Sequence, residues 1–293
     1  MAEVLYVNKP SGISSFDVCF KLRKVLHTKK IGHTGTLDPN ATGVMIVLFD
    51  KSTKANQFLV TDRKEYETRV LLGKETDSLD IDGNVLGEYK YEVPDENTLK
   101  KALNAFKGRS VQEVPITSAV SVDGKRLYQY QKEGKEVELP KREIEVFSVE
   151  LLNIYEDGFS FLSRVSSGTY IRALVRDILS SLNLHGTVLT LKRTAVDDVR
   201  IEDCDELNDI LEGNYHLHDL YDLLSKRYEV FEDFDEKDVL NGKKLLIESD
   251  QPRLLMAKNH EALAIYEKDG DLYRSLRGLG EIYCTLIKKR SQH

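Results

Sequence analysis

Apolar and polar positions alternate along this chain in two different periods, and the changes between them mark its elements. The run VLYV near the start predicts a short strand. SSFDVCFKLRKVL then predicts a helix, with Ser14 and Asp17 at capping-box spacing and Lys29 and Lys30 just past its end. VMIVLF and YETRVLLG predict strands. Asp95 is placed to cap a helix that runs through Phe106 and is stopped by Gly108. IEVFSVELLNIY and FSFLSRVSS flank the turn EDG and predict a hairpin. After Thr169, the positions Ile171, Leu174, Val175, Ile178, Leu179 and Leu182 follow helical spacing. Hairpins mixed with helices predict an α+β body rather than a doubly wound sheet. From Tyr228 onward, LLMAK, ALAIYE and LYRSLRGL alternate with Gly- and Asn-rich breaks, the pattern of a small β barrel. The boundary is expected near residues 222–230.

Composition narrows the class. The 293 residues, 41% of them hydrophobic, can bury a large core. Cys19, Cys204 and Cys284 are widely spaced and form no CxxC, which suggests neither a disulfide framework nor a zinc knuckle. No basic start followed by an apolar run and no membrane-length apolar stretch is present, so a cytoplasmic protein is expected. The net charge of −7 is concentrated between Asp197 and Asp238, where 16 acidic and 4 basic residues occur. The remainder carries a net positive charge, and the acidic stretch itself reads as a solvated helix.

The candidate chemistry lies in KIGHTGTLDPNATGVMIVLF. Gly32, Gly35 and Gly43 permit tight backbone conformations, and Pro39 biases Asp38 toward an extended one, so a carboxylate is held on a stiff loop. A lone Asp-Pro is more often just a turn. The loop lacks the G-x-x-x-x-G-K-[ST] pattern of a phosphate loop. His33 and Asp38 have no nearby metal-ligating partners, and the HLHD stretch from His216 to Asp219 reads as surface. Arg172 falls in the opening turn of a helix, where the dipole disfavours a cation, so an anion is expected opposite it. Arg176, one turn on, would otherwise make the pair a solvated basic edge.

These residues carry a resemblance. NKPSGISS, HTGTLDPNATGV, KEYETRVLLGKETDSLDIDG, SSGTYIRALVRDI and LKRTAV occur in the order seen in the TruB family, the tRNA pseudouridine-55 synthases, over about residues 4–200. The tail resembles, more weakly, the PUA-type RNA-binding barrel that often ends this family. The resemblance implies a catalytic domain over residues 1–228, built on a mixed, largely antiparallel sheet with helices, and a PUA-like domain over 229–293. It implies isomerisation of uridine to pseudouridine in the T-arm of tRNA on a flipped-out base, by a monomer with no cofactor, metal or protein partner. Asp38 takes the place of the nucleophile, Arg172 pairs with it and keeps it ionised, and Asp80 braces Arg172. Tyr66 stacks on the flipped uracil, Tyr170 and Leu191 match pocket positions, and His33 helps displace the base. Lys9, grouped with the substrate-binding residues, supports the catalytic loop together with Pro10.

One block departs from the family pattern. Where members commonly read PPxYSAxKxxGxRLY, this chain has VPITSAVSVDGKRLY, with Thr117 in place of the aromatic and Ser121 in place of the lysine. The block resembles the loop that clasps the T-arm, so an altered RNA grip is expected, with Lys125, Arg126, Tyr128 and Tyr130 still supplying charge and stacking and the catalytic assignment untouched. Three other classes fit these residues less well. A non-catalytic RNA-folding module would not need Asp38, a glycoside hydrolase would need a second carboxylate as acid, and a guide-RNA-directed relative usually carries extended basic tails.

Overall fold

The computed structural model describes residues 2–59 and 63–280. The principal elements are β1 (Glu3–Lys9), α1 (Ser15–Val25), β2 (Ile31–His33), β3 (Thr42–Phe49), β4 (Arg63–Leu72), α2 (Glu96–Ala105), β5 (Gly108–Glu113), β6 (Lys141–Tyr155), β7 (Gly158–Ser166), α3 (Ile171–Ser181) and β8 (Gly186–Val196). One large mixed sheet runs from Asp205–Glu206 through β1, β3, β8, β4, β7 and β6 to β5. Most of its pairings are antiparallel, while β3 and β8 run parallel over Lys192↔Thr42 and Arg193↔Gly43.

Local chemistry accounts for the ends of these elements. Ser14 caps α1 by accepting from the Asp17 N–H, and Asp95 caps α2 by accepting from the N–H groups of Asn97 and Thr98. Gly108 follows α2 closely but opens β5 with a φ of +104°. Of the three glycines near Asp38, only Gly43 takes a positive φ, +104°, and a Cβ there would stand 2.1 Å from the Arg193 carbonyl oxygen. That close approach is what lets β3 lie beside β8.

The acidic stretch is not a helix. It breaks into short pieces, including Leu207–Glu212, Leu220–Ser225 and Glu236–Leu240, and its segments Asp205–Glu206 and Leu217–Asp219 add strands beside β1. Leu207, Ile210, Leu220 and Leu224 anchor it in the core, so its charges sit on the outer sides of short amphipathic turns. His218 also departs from the surface reading: it stacks on Tyr6 with ring centroids 3.8 Å apart, while His216 is exposed and pairs with Asp205.

The tail forms a separate four-stranded sheet, Glu229–Phe231, Arg253–Lys258, Glu261–Asp269 and Leu272–Gly278. It has a core of its own around Met256, Tyr266 and Tyr273. Leu255, Ala257 and Ile265 pack instead against Phe58, Leu220 and Leu224 of the body. Cys284 and the rest of the tail to residue 293 lie outside the described residues. No helix among the described residues is long and apolar enough to cross a membrane.

Candidate active site

The loop between β2 and β3 is held by the block NKPSGISS. Lys9 is fully buried, and its Nζ donates to the carbonyl oxygens of Pro10 at 2.9 Å, Pro39 at 2.8 Å and Ala41 at 2.7 Å. The Gly12 N–H donates to the Pro39 carbonyl at 3.0 Å. Ser15 Oγ accepts from the Leu37 N–H at 2.9 Å and donates to the Leu37 carbonyl at 3.1 Å. These contacts bracket Asp38 on both sides and fix it without touching its carboxylate. Lys9 therefore has no surface to offer a substrate, and its place is the frame of the loop. Lys9→Met is expected to cost about 3 kcal/mol of stability, since three carbonyls lose a charged donor. Urea unfolding measures that loss, and an unchanged midpoint would show that the loop holds its form without Lys9.

Opposite the loop, β7 runs into α3 through Ser166 to Thr169, and Tyr170 occupies the N-cap position of α3. Gln112 of β5 pins that start: its Oε1 accepts from the Tyr170 N–H at 2.9 Å and its Nε2 donates to the Tyr170 carbonyl at 3.1 Å. Arg172, 5% exposed, then points back to the loop. Its Nε lies 3.0 Å from Asp38 Oδ2, its Nη2 donates to Asp38 Oδ1 at 3.2 Å, and its Nη1 lies 3.4 Å from Asp80 Oδ2. The anions expected opposite the helix start are these two carboxylates. Arg176 faces elsewhere, with Nε 2.8 Å from Asp177, so the two arginines form no common basic edge.

The departing block enters this site. Arg172 Nη1 donates to Thr117 Oγ1 at 2.8 Å and to the Ser78 carbonyl at 2.7 Å, and Nη2 donates to the Thr117 carbonyl at 3.2 Å. Thr117, which stands where the family pattern has an aromatic, is thus one of the groups that orient Arg172. Its difference from the family pattern marks the position, while nothing adjacent along the chain connects it with Arg172. Lys125 is also less free than expected, because its Nζ lies 2.5 Å from Glu133 and 4.7 Å from the Tyr130 ring centroid.

Asp38, Tyr66, Tyr170, Arg172, Leu191 and Thr117 meet around a cavity of about 360 Å³. Tyr66 is buried on β4, and its backbone partner across the sheet is Arg193 of β8. His33 does not line this cavity; it lies on β2 opposite Val47, where burial and the Arg193 charge hold its imidazole below the usual histidine range. The Asp38 side chain keeps 40% of its exposure, and its carboxyl is held above the usual aspartate value. Burial is the main cause, Arg172 opposes it, and Asp80 adds to it. The guanidinium thus limits the rise without cancelling it. No cluster of three or more His, Cys, Asp or Glu side chains able to hold a metal ion occurs among the described residues.

Residues 23–171 match the model of the TruB family pseudouridylate synthase N-terminal domain. The chain is 35% identical over 284 residues to the tRNA pseudouridine synthase B of Lactobacillus acidophilus, covering 92% of this chain and 96% of that protein. It is 42% identical over 202 residues to that of Fusobacterium nucleatum, covering 69% and 70%. Among solved structures, a chain of a Cbf5–Nop10–Gar1 complex superposes with a TM-score of 0.72 at 20% identity, over 95% of this chain and 85% of that one.

Proposed function

The chain belongs to the TruB family of pseudouridylate synthases, and from that premise we propose that it isomerises a uridine of the tRNA T-loop, position 55, with Asp38 as nucleophile. The observation that carries this reading is the Asp38 carboxylate, ion-paired to buried Arg172 at the wall of a cavity that also presents Tyr66. The reaction breaks the C1′–N1 bond, turns the uracil in place and joins C5 to C1′, with the proton leaving C5 and one returning to N1. Atoms balance without an oxidant or an external group. An ionised carboxylate serves it by attacking C1′ of the ribose, by attacking C6 of the ring, or by assisting a glycal route. Tyr66 offers its face to the extruded base, with Leu191 and Tyr170 closing the cavity around it.

The bacterial relatives named above support tRNA as the substrate. The tail sheet is read as a small PUA-like RNA-binding domain over residues 229–293, following a catalytic domain over 1–228. Because Leu255 and Ile265 share a core with Leu220 and Leu224, deleting the tail would also expose body core, and such a deletion would report stability along with affinity.

The direct test incubates the protein with unmodified tRNA and maps pseudouridine by carbodiimide treatment and reverse transcription. One modified uridine in the T-loop is expected, with EDTA leaving the rate unchanged because the isomerisation calls for no metal. Modification only in another arm, or none at all, would overturn the assignment.

A further inference from the structure

Lys64 lies two residues from Tyr66 on the same face of β4, about 7 Å along the strand. Its side chain borders two cavities. With Tyr66 it lines the Asp38 cavity, and with Arg63, Arg200, Lys226 and Arg253 it lines a larger one of about 770 Å³ between the body and the tail sheet. Lys64 makes no hydrogen bond or ion pair among the described residues. Burial, and after it the charge of Arg193, pushes its pKa down to about 8.

Arg193 stands behind it, 1% exposed. Its Nε donates to the Val44 carbonyl at 2.7 Å and its Nη2 to the Gly35 carbonyl at 3.1 Å, while Nη1 is buried with no hydrogen-bond partner. A Cβ on Gly35 would meet Lys64 Nζ at 3.1 Å and Arg193 Nη1 at 3.5 Å, so two cations share the space above a residue with no side chain. Of the described carboxylates bordering the larger cavity, Glu65 is paired with Arg164 and Asp197 with Arg227, which leaves Asp198. Two neighbouring cations withdrawn from water with no counter-ion among the described residues are unfavourable in the free protein, and an arriving anion relieves them.

The geometry points to a phosphate subsite: Lys64, with Arg193 fixed behind it, receives one backbone phosphate of the RNA strand beside the nucleotide whose base stacks on Tyr66. This rests on the reading of the Asp38 cavity as the uridine site. Lys64 stands where the two cavities meet, so the strand leaving the small cavity passes it before reaching the other cations of the larger one.

The test uses synthetic T-arm stem-loops carrying a single neutral methylphosphonate at each phosphate in turn around the target uridine. Each is titrated against Asp38→Asn protein, which holds the substrate unconverted, with and without Lys64→Met. One methylphosphonate is expected to weaken binding to the Lys64 protein by about 10-fold and to have little further effect on Lys64→Met, whose salt dependence of log Kd falls by about one unit of slope. Gly35→Ala, which crowds the lysine head, is expected to weaken binding at the same phosphate. Lys64→Met removes an uncompensated charge, so its thermal midpoint is expected at or above that of wild type, and a binding loss is then not a folding loss. Full additivity at every phosphate would overturn the subsite, as would competition by inorganic phosphate that depends on Lys64 when no RNA phosphate does. Binding is read without turnover, so a wild-type protein that makes no pseudouridine would overturn the functional reading and leave this result separate.

Discussion

Asp38→Asn is expected to abolish pseudouridine formation, by on the order of 10⁴-fold or more in single-turnover rate, with tRNA affinity kept within a few-fold. The amide preserves the shape of the side chain and its place on the loop, which Lys9, Gly12 and Ser15 hold through backbone groups. Only the nucleophile is lost. A second outcome follows from the raised pKa of Asp38. Its proton is bound more tightly in the folded state than in the unfolded one. Its contribution to stability is therefore complete below the unfolded value and is lost as pH rises through the folded one. At neutral pH the ionised group opposes folding, and Asp38→Asn should raise the thermal midpoint while removing activity. Turnover near wild type would take Asp38 out of its role, and a lowered midpoint would show that its pairing with Arg172 outweighs its burial.

Arg172→Ala is expected to have the other large effect, on rate, pH dependence and stability together. The guanidinium faces Asp38, Asp80, the Ser78 carbonyl and both oxygens of Thr117, and a methyl group replaces none of these contacts. Asp38 and Asp80 would then face each other without the cation that opposes their mutual effect, so the Asp38 carboxyl rises further. The acid limb of the kcat/KM profile, expected in the wild type above the ordinary aspartate value, should move to still higher pH. The rate at neutral pH should fall by roughly 10²–10³-fold. The stability cost is expected at about 3 kcal/mol, the lower end for breaking a buried ion pair, because both carboxylates keep some contact with water. A pH–rate profile and a urea titration read these effects separately. An acid limb that stays in place would show that Arg172 positions substrate and does not set the ionisation of Asp38.

Much of this protein was determined by the sequence alone. The caps at Ser14 and Asp95, the hairpin around EDG and the helical spacing after Thr169 are local patterns, decided by residues a few positions apart, and the structure carries all four. An arginine at a helix start was a local conflict, and it pointed to an anion that had to come from elsewhere in the chain. The acidic stretch differs from a solvated helix because composition describes charge and says nothing of which apolar residues between the charges find a core; Leu207, Ile210, Leu220 and Leu224 do, and they pull the stretch into the sheet and its packing. Only the tertiary structure could decide that Thr117, 55 residues from Arg172, completes its shell of acceptors. The same holds for His33, which shares a motif with Asp38 yet does not line the cavity, and for Lys64, which reads as an ordinary strand lysine until β8 places Arg193 behind it. Such contacts are set by sheet order and by the loss of water around each charge, and neither is written in residues adjacent along the chain.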